Sequence, residues 1–206
     1  YIDGELSGST NLPDGANADN SGYLRIGTVA CSESTPVENY MDEVRIWSKA
    51  LTQEEIQRIA ERGVKVIHCP YSNLKLNSGT CPMAELYAEG VTVALGTDGA
   101  ASNNALDLLG EARLAVLLAN YGNEKSSRVT PDQILESATL GGARALGLEA
   151  EIGSIEPGKA ADLIAIDTDS PSLQPLFDAH AQLIHTSAAN QVSHTWVEGR
   201  LLYENG

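Results

Sequence analysis

Two stretches of this chain place residues capable of acid–base and metal chemistry directly behind short apolar runs. In the first, Val64-Lys65-Val66-Ile67 leads into His68-Cys69-Pro70-Tyr71-Ser72-Asn73. In the second, Val91-Thr92-Val93-Ala94-Leu95 leads into Gly96-Thr97-Asp98-Gly99-Ala100-Ala101-Ser102-Asn103-Asn104. Both runs read as strands, and in α/β barrels the C-terminal strand ends carry the active site. A carboxylate and an imidazole at two such ends can share one metal ion or one reactive water. Asp98 would bind a divalent ion and relay a proton, while His68 would polarise or hold the substrate; that is hydrolytic chemistry. Each motif also has a plainer reading. A His after a strand is often a hydrogen-bonded structural residue, and an Asp between Thr and Gly is often a turn or a cap. The glycines lack the spacing of a P-loop or a dinucleotide fingerprint. What points to a site is the recurrence of both motifs at successive strand ends. His180, His185 and His194 have no such context and read as structural, and Asp42-Glu43 reads as a solvated or hairpin feature.

The elements that must position these residues are legible from period and caps. Residues 1–51 are rich in Gly, Asn, Asp and Ser and read as short strands and turns, with Asp3-Gly4 a hairpin signal. Tyr23 to Gly27 and Met41 to Trp47 alternate like strands, and Asn11 to Gly22 is loop chemistry. Hairpin links predict antiparallel pairing there, because parallel neighbours need crossovers of a dozen or more residues. At Thr52 the period changes. Thr52 and Glu55 form a capping-box pattern, Ile56, Ile59 and Ala60 follow at helical spacing, and Gly63 suits the residue after the C-cap. The strand Val64–Ile67, the strand Val91–Leu95, an amphipathic helix from Leu106 to Ala119 and a Thr130-Pro131 helix start follow. That alternation predicts a parallel α/β sheet or barrel. Asp162 to Asp167 and Val192 to Tyr203, with a turn at Glu198-Gly199, read as strands.

Composition bounds the remaining possibilities. The chain has 206 residues, 42% hydrophobic and 20% charged, an ordinary globular mixture. Its 13 Lys and Arg against 28 Asp and Glu give a net charge of −15, which disfavours a nucleic-acid partner. No apolar run approaches the roughly 20 residues of a membrane span, and the first residues do not read as a signal peptide. The first residue is Tyr1 rather than Met, which reads as a piece of something longer. Cys31, Cys69 and Cys81 have no CxxC spacing and read as free thiols.

Residues 52–206 closely resemble the C-terminal half of the amidohydrolase superfamily, in the branch of methylthioadenosine/S-adenosylhomocysteine deaminases and related triazine hydrolases. The resemblance rests on His68-Cys69-Pro70 with Ser72 to Leu76, on Leu95 to Asn104, on Ala138-Thr139 with Gly142 to Gly147, and on Gly153 to Leu163. Val192 and Trp196 to Arg200 also fit. It implies part of a metal-dependent (β/α)8 barrel with a small β domain, a divalent cofactor (zinc foremost), a small-molecule substrate and a cytoplasmic setting, with a homo-oligomer possible. By the same resemblance Asp98, at the end of the last barrel strand, binds the metal and takes a proton from the attacking water. His68 corresponds to the sixth-strand His that contacts the substrate, and Ser102 is placed to touch it.

Residues 1–51 resemble the closing, antiparallel strands of a laminin-G-like, concanavalin-type jelly roll, through Tyr1 to Gly4, Leu24 to Gly27 and Met41 to Trp47. That implies a glycan- or protein-binding module and an extracellular setting. The two resemblances meet at Leu51 to Ile56. The departures from the deaminase pattern are equally specific: the sequence has no His-x-His pair and no His before residue 68. Of the family's four metal ligands only Asp98 remains, whereas zinc sites use at least three protein ligands. Three expectations follow: a deaminase by descent that is inactive as this chain alone, a glycan- or protein-binding module, or a non-functional chimera of two partial domains.

Overall fold

The computed structural model describes residues 51–121, 128–186 and 188–205; the strands expected in residues 1–50 lie outside the described residues. The Thr52 cap forms as its sequence dictates. Thr52 Oγ1 accepts from the Glu55 N–H, and the Glu55 carboxylate accepts from the Thr52 N–H at 2.8 Å, so α1 runs Gln53–Glu61. The helix ends in a Schellman closure. Gly63 takes φ +63°, and the Val64 N–H reaches the Ile59 carbonyl at 3.1 Å. Val64 is thereby spent on the helix, and the strand β1 starts at Val66, spanning Val66–His68. The pattern repeats one unit later. After α2 (Pro70–Lys75), α3 (Met83–Ala88) closes with Gly90 at φ +72° and the Val91 N–H on the Leu86 carbonyl at 2.9 Å, and β2 spans Val93–Leu95.

β1 and β2 pair in parallel, Val66 opposite Val93 and His68 opposite Leu95. The expected parallel neighbours are therefore present, each starting two residues late, and His68 is the last residue of its strand rather than the first of a loop. One inherited detail changes. Sequential strands of a (β/α)8 barrel are neighbours, so a strand bonded directly to the last one is the seventh. If β2 is the last barrel strand, as the resemblance implies, His68 stands on the seventh strand and not on the sixth.

Beyond β2, α4 (Leu108–Asn120) starts on Asp107, whose carboxylate accepts from the Gly110 N–H at 3.0 Å. The helix α5 (Pro131–Ser137) starts on a Thr130–Gln133 capping box, and α6 (Leu140–Leu146) follows. The buried core gathers Ile56 and Ile59 of α1, Met83 and Leu86 of α3, and Val93 and Leu95 of β2. From the far side come Ala112, Ala115 and Val116 of α4 and Ile134 of α5.

The tail is more mixed than expected. β3 (Leu163–Ile166), β4 (Val192–Val197) and β5 (Arg200–Glu204) form an antiparallel sheet, its hairpin turning at Glu198 and Gly199 with φ +50° and +74°. Between β3 and β4 lies α7 (Ala179–His185), capped by Asp178, and its Ile184 enters the core beside α4 and α5. His180 and His185 are thus on a core-packing helix and not in the small β domain, whereas His194 is in β4. No helix among the described residues is long and apolar enough to cross a membrane.

Candidate active site

The parallel pairing puts the ends of β1 and β2 on one side. The loop carrying Asp98 therefore lies at the same end of the sheet as His68. Asp98 sits three residues past Leu95 in the left-handed region at φ +60°, which Asp tolerates better than most residues. Its side chain is held at both oxygens. Ser72 Oγ donates to Oδ2 at 2.6 Å and the Gly99 N–H donates to Oδ1 at 2.7 Å. These two bonds, Ser72 first, hold the carboxyl below its ordinary range; slight burial opposes them and the Ser102 hydroxyl adds a further bond. Asp98 is exposed and ionised at neutral pH, a fixed carboxylate facing solvent.

Ser72 reaches Asp98 because α2 begins as soon as β1 ends. Pro70 opens that helix, and Ser72 is 2% exposed on its inner face. The helix has no side-chain cap of its own. Pro70 has no N–H, and the first one of the helix, that of Tyr71, is satisfied by Glu111 Oε2 of α4 at 2.9 Å. The other Glu111 oxygen accepts from Asn103 Nδ2 at 2.5 Å, and Asn103 also donates to the Thr97 carbonyl at 2.9 Å. Lys75 clasps the same loop from α2, donating to the Ala101 carbonyl at 3.1 Å and to Asn104 Oδ1 at 2.6 Å.

The residues expected at the site separate into two groups. Asp98 and Ser102 come together on the exposed loop. His68 lies beneath it, 3% exposed, with Nδ1 buried and without a hydrogen-bond partner. Burial lowers its pKa to about 4, so the ring is neutral. The ring is thus a buried neutral group at the end of β1, covered within this chain. Cys69 beside it is pushed up by burial and then by the Asp98 charge, and Cys81 is pushed up to about 12 by burial, so both are thiols rather than thiolates. Sequence reasoning gave no role to Glu111, Asn103 or the Ser72 hydroxyl. The signal for Glu111 was available: it is a carboxylate on the apolar face of α4, one residue before Ala112 and four before Ala115.

Among the described residues no group of three His, Cys, Asp or Glu side chains converges to hold a metal ion. Asp98 is a lone carboxylate among hydroxyls, and Glu111 spends both oxygens on protein donors. The donor set does not fit zinc. A cleft of about 210 Å³, lined by Tyr87, Val91, Gln133, Ser137 and Arg144 among others, lies beside the opposite, N-terminal end of β2.

Residues 24–202 match the family described as the amidohydrolase family. The match reaches back into the stretch read from sequence as jelly-roll strands. Among characterised relatives, the 5-methylthioadenosine/S-adenosylhomocysteine deaminase of Moorella thermoacetica is 50% identical over 156 residues, which cover 76% of this chain and 36% of that protein. Among solved structures, an adenosine deaminase from Xanthomonas campestris with bound zinc superposes with a TM-score of 0.73 at 46% identity, covering 76% of this chain and 36% of that one. The atrazine chlorohydrolase of Arthrobacter aurescens, complexed with zinc, gives 0.70 at 33% identity over 77% of this chain and 35% of that one. The chain spans about a third of the length of these relatives.

Proposed function

The chain belongs to the amidohydrolase family, and on that premise we propose that it carries the Asp98 portion of a hydrolase that removes the amino group of an adenosine-type heterocycle. The observation that carries this reading is the exposed Asp98 carboxylate, oriented by Ser72 and Gly99 at the C-terminal end of two paired parallel strands. Its relatives supply the substrate class, since one is named a methylthioadenosine/S-adenosylhomocysteine deaminase and another an adenosine deaminase.

In this reading Asp98 accepts the proton of the attacking water. It is suited to that role because it is ionised, exposed and fixed at both oxygens. Ser102, on the same loop, presents a hydroxyl to the substrate. Glu111 acts through the Tyr71 N–H and Asn103, and His68 is a buried neutral ring at the end of β1. The zinc of the relatives would supply a nucleophile by bringing the pKa of a bound water down to roughly 7. The described residues do not assemble that ion's ligands, and the sequence has no His-x-His pair to add. This chain alone is accordingly inactive. The test is ammonia release from methylthioadenosine or S-adenosylhomocysteine by the purified chain with zinc supplied: no release above blank is expected, and release that vanishes in Asp98→Asn would overturn the inactivity.

The jelly-roll reading of residues 1–51 is carried by its motifs, with the amidohydrolase match competing for residues 24–51. Its glycan-binding form requires the full chain to bind at least one glycan on an array; a blank array removes that form and leaves only the protein-binding one.

A further inference from the structure

Glu111 is a charged side chain only 3% exposed, in the first turn of α4 on an otherwise apolar face. A buried carboxylate is retained at a cost unless its oxygens are bonded, and both of its partners here are neutral donors. We propose that Glu111 is the positioning residue of the Asp98 site, fixing the two strand-end loops relative to each other so that Ser72 meets Asp98. The inference rests on the reading of Asp98 as the site's reactive group, but its geometry stands apart from any metal or turnover.

The connectivity carries it. Oε2 takes the Tyr71 N–H at 2.9 Å, and the next residue is Ser72. Oε1 takes Asn103 Nδ2 at 2.5 Å, and the same Nδ2 holds the carbonyl of Thr97, the residue before Asp98. One carboxylate thus lies one residue from each end of the 2.6 Å Ser72–Asp98 bond. Asn103 cannot turn over to accommodate a different partner. Its Oδ1 accepts the Ala105 N–H at 3.2 Å, and flipping would set that oxygen against the Thr97 carbonyl. Both of Glu111's partners are therefore locked as donors. Only a group that accepts on both oxygens satisfies them, and Gln, with one oxygen and one NH2, cannot. That explains why a carboxylate occupies a position where helix packing alone would select an apolar residue.

The test is amide exchange and carboxyl NMR on the full chain, without metal or substrate. In Glu111→Gln, exchange at the Tyr71 backbone N–H or the Asn103 side-chain amide should quicken at least about tenfold, the loss of one charge-assisted bond. Amides of Ala115 in α4 and Ile134 in α5 should stay unchanged. The Asp98 carboxyl carbon resonance, assigned by its disappearance in Asp98→Asn, should move in the same direction as in Ser72→Ala. Uniform quickening across α4 and α5 with a still Asp98 resonance would make Glu111 a general stabiliser and overturn the proposal, as would no change anywhere. Should Glu111→Gln fail to fold, Asn103→Ala decides: exchange at Ala105 should quicken and the Asp98 resonance shift while Tyr71 stays protected, and a still Asp98 resonance overturns it. A failed deaminase assay bears on none of these readings.

Discussion

Two adjacent glycines in α6 should respond to the same substitution with opposite signs. A Cβ on Gly141 would sit 2.8 Å from the Val93 carbonyl oxygen and 3.1 Å from that of Glu136. Both are backbone atoms, and the Val93 oxygen is already fixed by the Ser137 hydroxyl at 2.6 Å. Neither can retreat without moving β2 or the end of α5. A Cβ on Gly142 meets nothing within 4 Å. Replacing a helical Gly by Ala gains about 0.5–1 kcal/mol, and forcing a methyl into a packed site costs about 1–3 kcal/mol. Gly142→Ala should therefore stabilise by about 0.5–1 kcal/mol. Gly141→Ala should lose about 0.5–2 kcal/mol once the same gain is set against the overlap. At about 2–4 °C per kcal/mol for a chain of this size, the two variants should melt roughly 2–12 °C apart. Thermal and urea unfolding followed by circular dichroism would read this. If Gly141→Ala melts at or above Gly142→Ala, the close seating of α6 on the strand that carries the Asp98 loop is wrong.

Other outcomes follow from the two titrating groups at the site. His68 has its pKa lowered from 6.5 to about 4, so between those values the unfolded chain binds the extra proton. Its contribution is full above pH 6.5 and fades toward pH 4, by roughly 3 kcal/mol in all; His68→Gln should flatten that limb in urea unfolding at stepped pH, and an unchanged slope would contradict its burial. The lowered pKa of Asp98 stabilises the fold above the ordinary carboxylate range, and that stabilisation is lost as pH falls through the folded value. Ser72→Ala should raise the Asp98 titration toward its ordinary position in a carboxyl NMR titration, and no movement would mean that the 2.6 Å bond is not formed in solution.

The sequence was most informative where local chemistry decides the outcome. The Thr52–Glu55 capping box, the Thr130-Pro131 helix start, the Asp98-bearing strand end and the Glu198-Gly199 turn could be read directly because each depends on residues a few positions apart. The strands begin late for an equally local reason that apolar run length hides: Val64 and Val91 close the preceding helices with their N–H groups. The helix α2 was not legible, since its N-terminal donor is satisfied by Glu111, 40 residues away. Nor was the burial of His68, because strand register and helix cover decide it rather than its neighbours in sequence. The helix α7 carried a readable signal in Asp178, whose carboxylate accepts from the Ala181 N–H at 3.1 Å, but the strands on either side masked it.

The most direct measurement is metal analysis of the purified chain after zinc loading and exhaustive dialysis, paired with ammonia release from methylthioadenosine. With no three metal-binding side chains converging among the described residues, zinc should remain well below one equivalent and no ammonia should appear. One equivalent of retained zinc, with turnover abolished by Asp98→Asn, would contradict the account and show that the chain completes the metal centre by itself.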